Sequence, residues 1–280
     1  MKSNILIIGG TGKTGRKVVQ KLQKLNYEVR IGSRSASPAF DWNNPGTWEG
    51  AMDGIEKMYV TFQPDLAVPG ALDTIEALTR QALKSGVRKI VLLSGKGERE
   101  AELCEQVIMH SGMDFTIVRA SWFNQNFSES FFLDPIIAGH VALPKAEAKV
   151  PYVDTEDIAD VVVEALLEER HNGQMYELTG PRLLTFKDVI AEIAAATGRD
   201  IEFTPISLDA YVKMLEEVNV PADYIWLINY LFAEVLDAKG NDVISNDIEK
   251  ILGRKSKDFS EYVQETVQSG VWNAQTTKSA

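Results

Sequence analysis

Three evenly spaced glycines, Gly9, Gly12 and Gly15, separate an apolar run from a helical one and constrain this fold more than any other feature. Before them lies Ile5-Leu6-Ile7-Ile8, and after them Val18, Val19, Leu22 and Leu25 recur at helical spacing. A buried strand, a tight turn and an amphipathic helix in this order predict the opening of a dinucleotide-binding fold. Gly9 serves the sharp turn, Gly12 lets the backbone approach a pyrophosphate, and Gly15 lets helix and strand pack closely. Free N–H groups at the helix start would hold the phosphates. The spacing therefore nominates Gly9, Thr11, Gly12, Lys13, Thr14 and Gly15 as cofactor-binding residues.

The rest of the first half alternates strand and helix. Strands are expected over 28–33, 58–62, 89–93 and 115–119, and Asp41-Trp42 could end a further short one. Thr47 is placed to cap a helix that runs to Met52. Longer helices are expected over 72–83 and 99–110. Alternation of this kind implies an α/β, Rossmann-type, doubly wound parallel sheet. Residues 120–150 read as long, aromatic and irregular, and a helix over 157–167 and a strand over 174–179 restore the pattern. Helices are then expected over 186–197, 208–218, 222–236, 247–252 and 259–269, with a strand over 201–206 and a frayed end over 273–280. The expected division is an NAD(P)-binding domain over 1–155. Residues 156–280 would add the last sheet elements (about 156–180) and a smaller, mostly helical substrate lobe.

Position in this fold also suggests which cofactor binds. An acid at the end of the second strand favours NAD, whereas an arginine accommodates the 2′-phosphate of NADP. Here the segment reads Ile31-Gly32-Ser33-Arg34-Ser35, and no acid falls between Glu28 and Asp41. Arg34 offers a planar charged fork and Ser33 a hydroxyl, so NADP(H) is expected; the alternative is that Arg34 and Lys13 are solvated surface charges. Phe62-Gln63-Pro64 and Ser94 end inner strands, where ligands bind in open α/β sheets; each could equally be strand-to-loop punctuation.

A net charge of −11 opposes binding to a phosphate backbone, so no nucleic-acid partner is expected. No apolar run is long enough to span a bilayer, and the N-terminus lacks a signal-peptide pattern. One cysteine, Cys104, forms no internal pair, and a cytoplasmic location is expected. Cys104 itself reads as a small buried apolar residue. His110, His140 and His171 lack ligand spacing, so no metal is expected. Neither a hydrolase elbow nor a triphosphatase loop is present.

Several segments resemble the NmrA-like branch of the short-chain dehydrogenase/reductase superfamily. They are Gly9-Gly10-Thr11-Gly12-Lys13-Thr14-Gly15, Ser111-Gly112-Met113-Asp114-Phe115-Thr116-Ile117-Val118-Arg119, Trp122-Phe123-Asn124-Gln125-Asn126-Phe127, Val153-Asp154-Thr155-Glu156-Asp157-Ile158-Ala159 and Tyr176-Glu177-Leu178-Thr179-Gly180-Pro181. The likeness covers most of 1–205 and is nearest to the festuclavine and agroclavine dehydrogenases; Leu252-Gly253-Arg254, Asp258-Phe259 and Gly270-Val271-Trp272 add to it lightly.

The resemblance implies an oxidoreductase acting on a small molecule, with one departure. The wider superfamily's Tyr-x-x-x-Lys acid/base pair does not occur between Ser94 and Phe127, where Glu100, Glu102 and Glu105 stand instead. Carbonyl reduction by that pair is excluded. What remains is hydride transfer to an acceptor that needs little protein acid, such as a quinone, an iminium or an activated enone. The alternative is a non-catalytic NADP(H) sensor that binds a protein partner.

Ser94 and Asn124 are the weak catalytic candidates; Ser94 could also be a strand-end serine with no role. Trp122, Phe123, Asn124 and Asn126 are the substrate-side candidates, and the alternative is that the rings of this segment, Phe127 included, only close the core. Glu105 aligns with a family acid and reads first as a solvated helix-face carboxylate, second as an orienting group. Tyr224, Trp226, Tyr230 and Phe232 read as a packing face or the surface of a homodimer.

Overall fold

A computed structural model describes residues 4–273; most of the expected frayed end, 274–280, lies outside the described residues. In chain order the elements are β1 (Ile5–Ile8), α1 (Gly15–Lys24), β2 (Val29–Gly32), α2 (Trp48–Met52), β3 (Lys57–Val60), α3 (Ala71–Lys84), β4 (Lys89–Gly95), α4 (Arg99–Met109) and β5 (Asp114–Ala120). There follow α5 (Leu133–Ala138), β6 (His140–Leu143), α6 (Thr155–Leu167), β7 (Gln174–Leu178), α7 (Phe186–Thr197) and β8 (Glu202–Pro205). The last helices are α8 (Leu208–Glu217), α9 (Ala222–Tyr230), α10 (Asp247–Leu252) and α11 (Phe259–Val267). The chain forms two compact units, each assembled from three segments.

The first unit comprises 1–120, 155–178 and 245–254. Its six strands pair in parallel in the order β2-β1-β3-β4-β5-β7. The order reverses between β1 and β3, which opens the crevice where doubly wound sheets take ligands. All four residues of β1 are fully buried, as a strand covered on both faces requires. Val18, Val19 and Leu22 are the buried stripe of α1, and Ile75, Leu78 and Ala82 that of α3.

Charge pairs tie α1 to α6: Lys17 and Lys21 meet Glu156 at 2.8 and 2.9 Å, and Lys21 meets Asp160 at 2.6 Å. Burial alone would raise the Glu156 carboxyl, but the hydrogen bonds from Lys17 and Lys21 outweigh it and hold it at about 2. Arg254, just past α10, bonds the fully buried Asp157 at 2.6 Å and Asp160 at 2.5 Å. The Asp-Ile-Ala helix start and the late Leu-Gly-Arg segment, far apart in sequence, are thus two halves of one ion pair.

The second unit comprises 121–154, 179–244 and 255–280. Its core is aromatic, with Phe127, Phe132, Tyr152, Phe186, Phe232, Phe259 and Trp272 almost fully buried. The parallel pair β6–β8 joins residues some sixty positions apart, His140 opposite Glu202. Arg182 clamps Glu192 of α7 at 2.6 Å and Asp258, which caps α11, at 2.7 Å.

Several sequence expectations need correction. Residues 120–150 are not simply irregular: they hold a 3-10 turn over Asn124–Phe127, then α5 and β6. Asp41-Trp42 ends no strand, because Asp41 makes only an isolated bridge to Asn44. Thr47 does not cap α2 through its side chain; its hydroxyl donates to Asn44 O at 2.7 Å and accepts the Asp41 N–H. The helix expected over 222–236 is α9 followed by a π turn over Leu231–Val235. Among the described residues no helix is long and apolar enough to cross a membrane.

Candidate functional site

The glycine turn leaves β1 at the sheet's carboxyl edge. Gly9 has φ +74°, a left-handed conformation, and a Cβ there would also overlap Thr61 Oγ1. A Cβ on Gly15 would overlap the backbone of Gly9 and Gly10, so only glycine lets α1 begin this close to the turn. Gly12 N–H donates to Gly9 O at 2.8 Å and closes the loop. No side chain caps α1, its first turn carries no acid, and its last turn carries Lys21 and Lys24. A helix start that its N-cap side chain leaves uncapped and whose own first turn holds no acid favours an anion by geometry and by dipole. The cradle fits a pyrophosphate, and side chains at 9 or 15 would collide with Thr61 or with the turn's own backbone and so prevent it from forming.

Within it Thr11 is exposed and Lys13 half-buried. Thr14 is buried, and its hydroxyl accepts a hydrogen bond from Tyr59 OH at 2.9 Å, so its side chain serves the fold while its backbone lies at the helix start. Burial raises the Tyr59 phenol far above its ordinary value, which keeps it a donor.

At the end of β2, Ser33 O accepts from the backbone N–H groups of Ala36 and Phe40, which fixes the turn. Ser33 Oγ and Ser35 Oγ lie 3.3 Å apart, and Arg34 is exposed. No hydrogen bond or ion pair from another described residue engages its guanidinium, and no acid lies between Glu28 and Asp41. These residues fit a 2′-phosphate. Beyond β3, Phe62 is half-buried with its ring against Trp42 at 4.7 Å, Gln63 is exposed, and Pro64 is half-buried.

Ser94 sits inside an ion-pair network rather than in open solvent. It is buried, and its hydroxyl donates to Glu105 Oε1 at 2.6 Å. Glu105 is 0% exposed and accepts Arg119 Nε at 2.9 Å and a second guanidinium nitrogen at 2.5 Å. The reading of Glu105 as a solvated carboxylate is therefore wrong. It lies on the buried face of α4 beside Ala101, Cys104 and Ile108, and Arg119 in β5 neutralises it. Lys96, absent from the sequence reading, follows β4 almost fully buried and meets Glu177 of β7 at 3.5 Å. Its signal was position alone, two residues past Ser94.

In the second unit, the 122–127 segment turns most of its groups inward. Trp122 packs on Phe232, Phe186 and Phe132 at centroid distances of 5.4, 5.6 and 6.3 Å. Phe127 is fully buried, and its carbonyl accepts from Trp272 Nε1 at 2.8 Å. Asn124 is 0% exposed, with its amide nitrogen 3.4 Å from Asp154 Oδ2, which also accepts Gln125 Nε2 at 3.1 Å. Packing thus accounts for Phe127, whereas Trp122 is only partly buried and Asn124 Oδ1 is buried without a hydrogen-bond partner among the described residues. Trp122, Phe123 and Asn126 are the half-buried members of the segment.

With the cradle defined, its family follows. The model of the NmrA-like family matches residues 102–263, and that of an NAD(P)H-binding family matches residues 9–169. The chain belongs to the NmrA-like family. The NAD(P)H-binding match contains the glycine turn, Arg34, Phe62–Pro64 and Ser94. This NmrA-like chain is 28% identical to the NAD(P)H azoreductase of Xenophilus azovorans, over 93% of this chain and 96% of that one. It is 27% identical to the agroclavine dehydrogenase of Claviceps fusiformis, over 96% and 98%. Among solved structures, the Escherichia coli NADPH-dependent quinone oxidoreductase QOR2, in complex with NADPH, matches with a TM-score of 0.77 at 20% identity, over 94% and 99% of the two chains. That likeness shows the fold.

Proposed function

We propose that this NmrA-like protein is an NADPH-dependent reductase that delivers hydride to a small organic acceptor: a quinone, an iminium, an activated enone or an azo compound. The uncapped glycine cradle, with the Arg34 guanidinium one strand away, carries the reading. Gly9, Thr11, Gly12, Lys13, Thr14 and Gly15 would hold the pyrophosphate, and Ser33 and Arg34 the 2′-phosphate. Phe62, Gln63, Pro64 and Ser94 line the carboxyl edge of the inner strands and would complete the cofactor site. Trp122, Phe123 and Asn126 are the proposed acceptor contacts in the second unit, with the buried Asn124 behind them.

The reduced nicotinamide supplies the hydride when bound. The protein's part is to orient and to exclude water. Ser94 already donates its proton to Glu105, so its lone pairs remain to accept from an amide. The segment that carries the superfamily's tyrosine acid holds none here, which matches acceptors whose charge needs no strong protein acid. An iminium is neutralised by hydride alone, whereas a quinone takes a solvent proton as well. The 27–28% identity to an azoreductase and a clavine dehydrogenase supports the class of acceptor.

The test is NADPH oxidation, followed by absorbance, against a panel of quinones, azo dyes, iminium ions and activated enones. Turnover with one of these classes is expected. Tight NADPH binding with no turnover across the panel would replace the reductase with a cofactor sensor.

A further inference from the structure

Beside the glycine turn, β3 and its exit carry two hydroxyl groups on an otherwise apolar stretch. Tyr59 stands fully buried between the fully buried Met58 and Val60, and the half-buried Thr61 directly follows the strand. The strand pairs in parallel with β1, Tyr59 opposite Ile7, which brings both hydroxyls to the segment that leaves β1. Tyr59 OH donates to Thr14 Oγ1 at 2.9 Å, and Thr61 Oγ1 donates to Ile8 O at 3.1 Å. Ile8 is the last residue before the turn and Thr14 the last before α1, so the two bonds hold the two ends of the loop 9–13. Thr61 Oγ1 also fills the space that a Cβ on Gly9 would need.

The core has no need of the Tyr59 hydroxyl. Phenylalanine would fill the same space, and burying a phenol is unfavourable unless a hydrogen bond compensates it. The bond that does so goes to Thr14, whose hydroxyl makes no cap to α1. Elsewhere in the turn, Gly12 N–H bonds Gly9 O, and Gly9 N–H bonds Gly32 O of β2 at 3.0 Å. The turn is thus tied to β2 through backbone and to β3 through side chains. N–H donors that are held in place beforehand lose little freedom when an anion arrives, so a braced loop binds it more tightly than a loose one.

We propose that Tyr59 and Thr61 are positioning residues: a pair of hydroxyls that brace both ends of the glycine loop and set its N–H groups for the diphosphate of a dinucleotide. The proposal rests on the cofactor reading above and adds two residues that act through the loop. The diphosphate is common to NADPH and NADH, so loss of the brace lowers both affinities alike. Arg34, by contrast, acts on the 2′-phosphate that only NADPH carries.

Calorimetric titration with NADPH, NADH and adenosine 2′-monophosphate tests this on the wild type, Tyr59→Phe, Thr61→Ala, Thr61→Ser and Thr14→Val. The monophosphate keeps the 2′-phosphate and lacks the diphosphate. Tyr59→Phe and Thr61→Ala should each bind NADPH and NADH about threefold to tenfold more weakly, one hydrogen bond apiece, with the monophosphate unchanged. Thr61→Ser keeps the hydroxyl and should bind as the wild type does. Thr14→Val removes the Tyr59 bond from its other side, so joining it to Tyr59→Phe should add little to either single loss. Full dinucleotide affinity in Tyr59→Phe or Thr61→Ala would overturn the brace. So would an equal loss of the monophosphate, or a loss in Thr61→Ser as large as in Thr61→Ala. A wild type that binds none of the three ligands refutes the cofactor reading and the brace together; one that binds them, with unaltered variants, refutes the brace alone. Should Tyr59→Phe not fold, Thr14→Val and Thr61→Ala carry the measurement.

Discussion

Glu105 and Arg34 mark the limits of reading single residues. Glutamates scattered along a helix are usually solvated, yet Glu105 lies on the same face as Ala101, Cys104 and Ile108 and is fully buried. The helical spacing held that information, but its charged partner is in another element, at Arg119. Removing one side of such a pair strands the other. Glu105→Ala should cost about 3–5 kcal/mol in chemical denaturation, more than any exposed glutamate of α4. Arg34 is exposed, and its proposed role comes from fold position alone. Arg34→Ala should weaken NADPH binding by about 10-fold or more while leaving NADH nearly unchanged, one charge-assisted contact being worth that much. Equal losses for the two cofactors would remove the assignment. Cys104, read as buried, is buried: desolvation, with the nearby Glu105 and Asp65 charges, pushes its thiol up to about 12. Native protein should resist alkylation near neutral pH and react once denatured, by mass spectrometry.

At the scale of elements, local pattern predicted what local pattern determines. The strands and helices of the sheet unit lie within a residue or two of their expected ends, because apolar periodicity and glycine stops act over a few residues. The 120–150 stretch was opaque for the opposite reason. The strand β6 is four residues long and finds its partner β8 only after α6, β7 and α7 have intervened. The cap of α11 was equally hidden, since its clamp comes from Arg182. Hydrogen bonds from Arg182 hold the Asp258 carboxyl at about 2. A depressed carboxyl stabilises the fold above its ordinary value, near 3.9, and loses that contribution as pH falls through the lower one. Asp258→Asn should therefore flatten the acid limb of stability and cost roughly 1–2 kcal/mol near neutrality, as read from denaturant midpoints against pH.

On the scale of the molecule, the doubly wound sheet and the return of about 156–180 to it could be read from alternation, whereas the further return of 245–254 to the sheet unit could not. Each unit draws on three separate segments, so no cut in the chain yields either of them. A fragment ending at 154 would lack α6, β7 and α10, uncovering β3, β4 and β5 on the side that α6 packs against and leaving β5 an open edge. We expect it to show no cooperative thermal transition, whereas the intact chain melts cooperatively; calorimetry distinguishes the two. The ion pair from Arg254 to Asp157 adds a temporal consequence. On the ribosome, the acid that must be desolvated is made almost a hundred residues before its counter-charge. The sheet unit must then wait, hydrated and unfinished at that helix, until the segment around Arg254 has emerged from the exit tunnel.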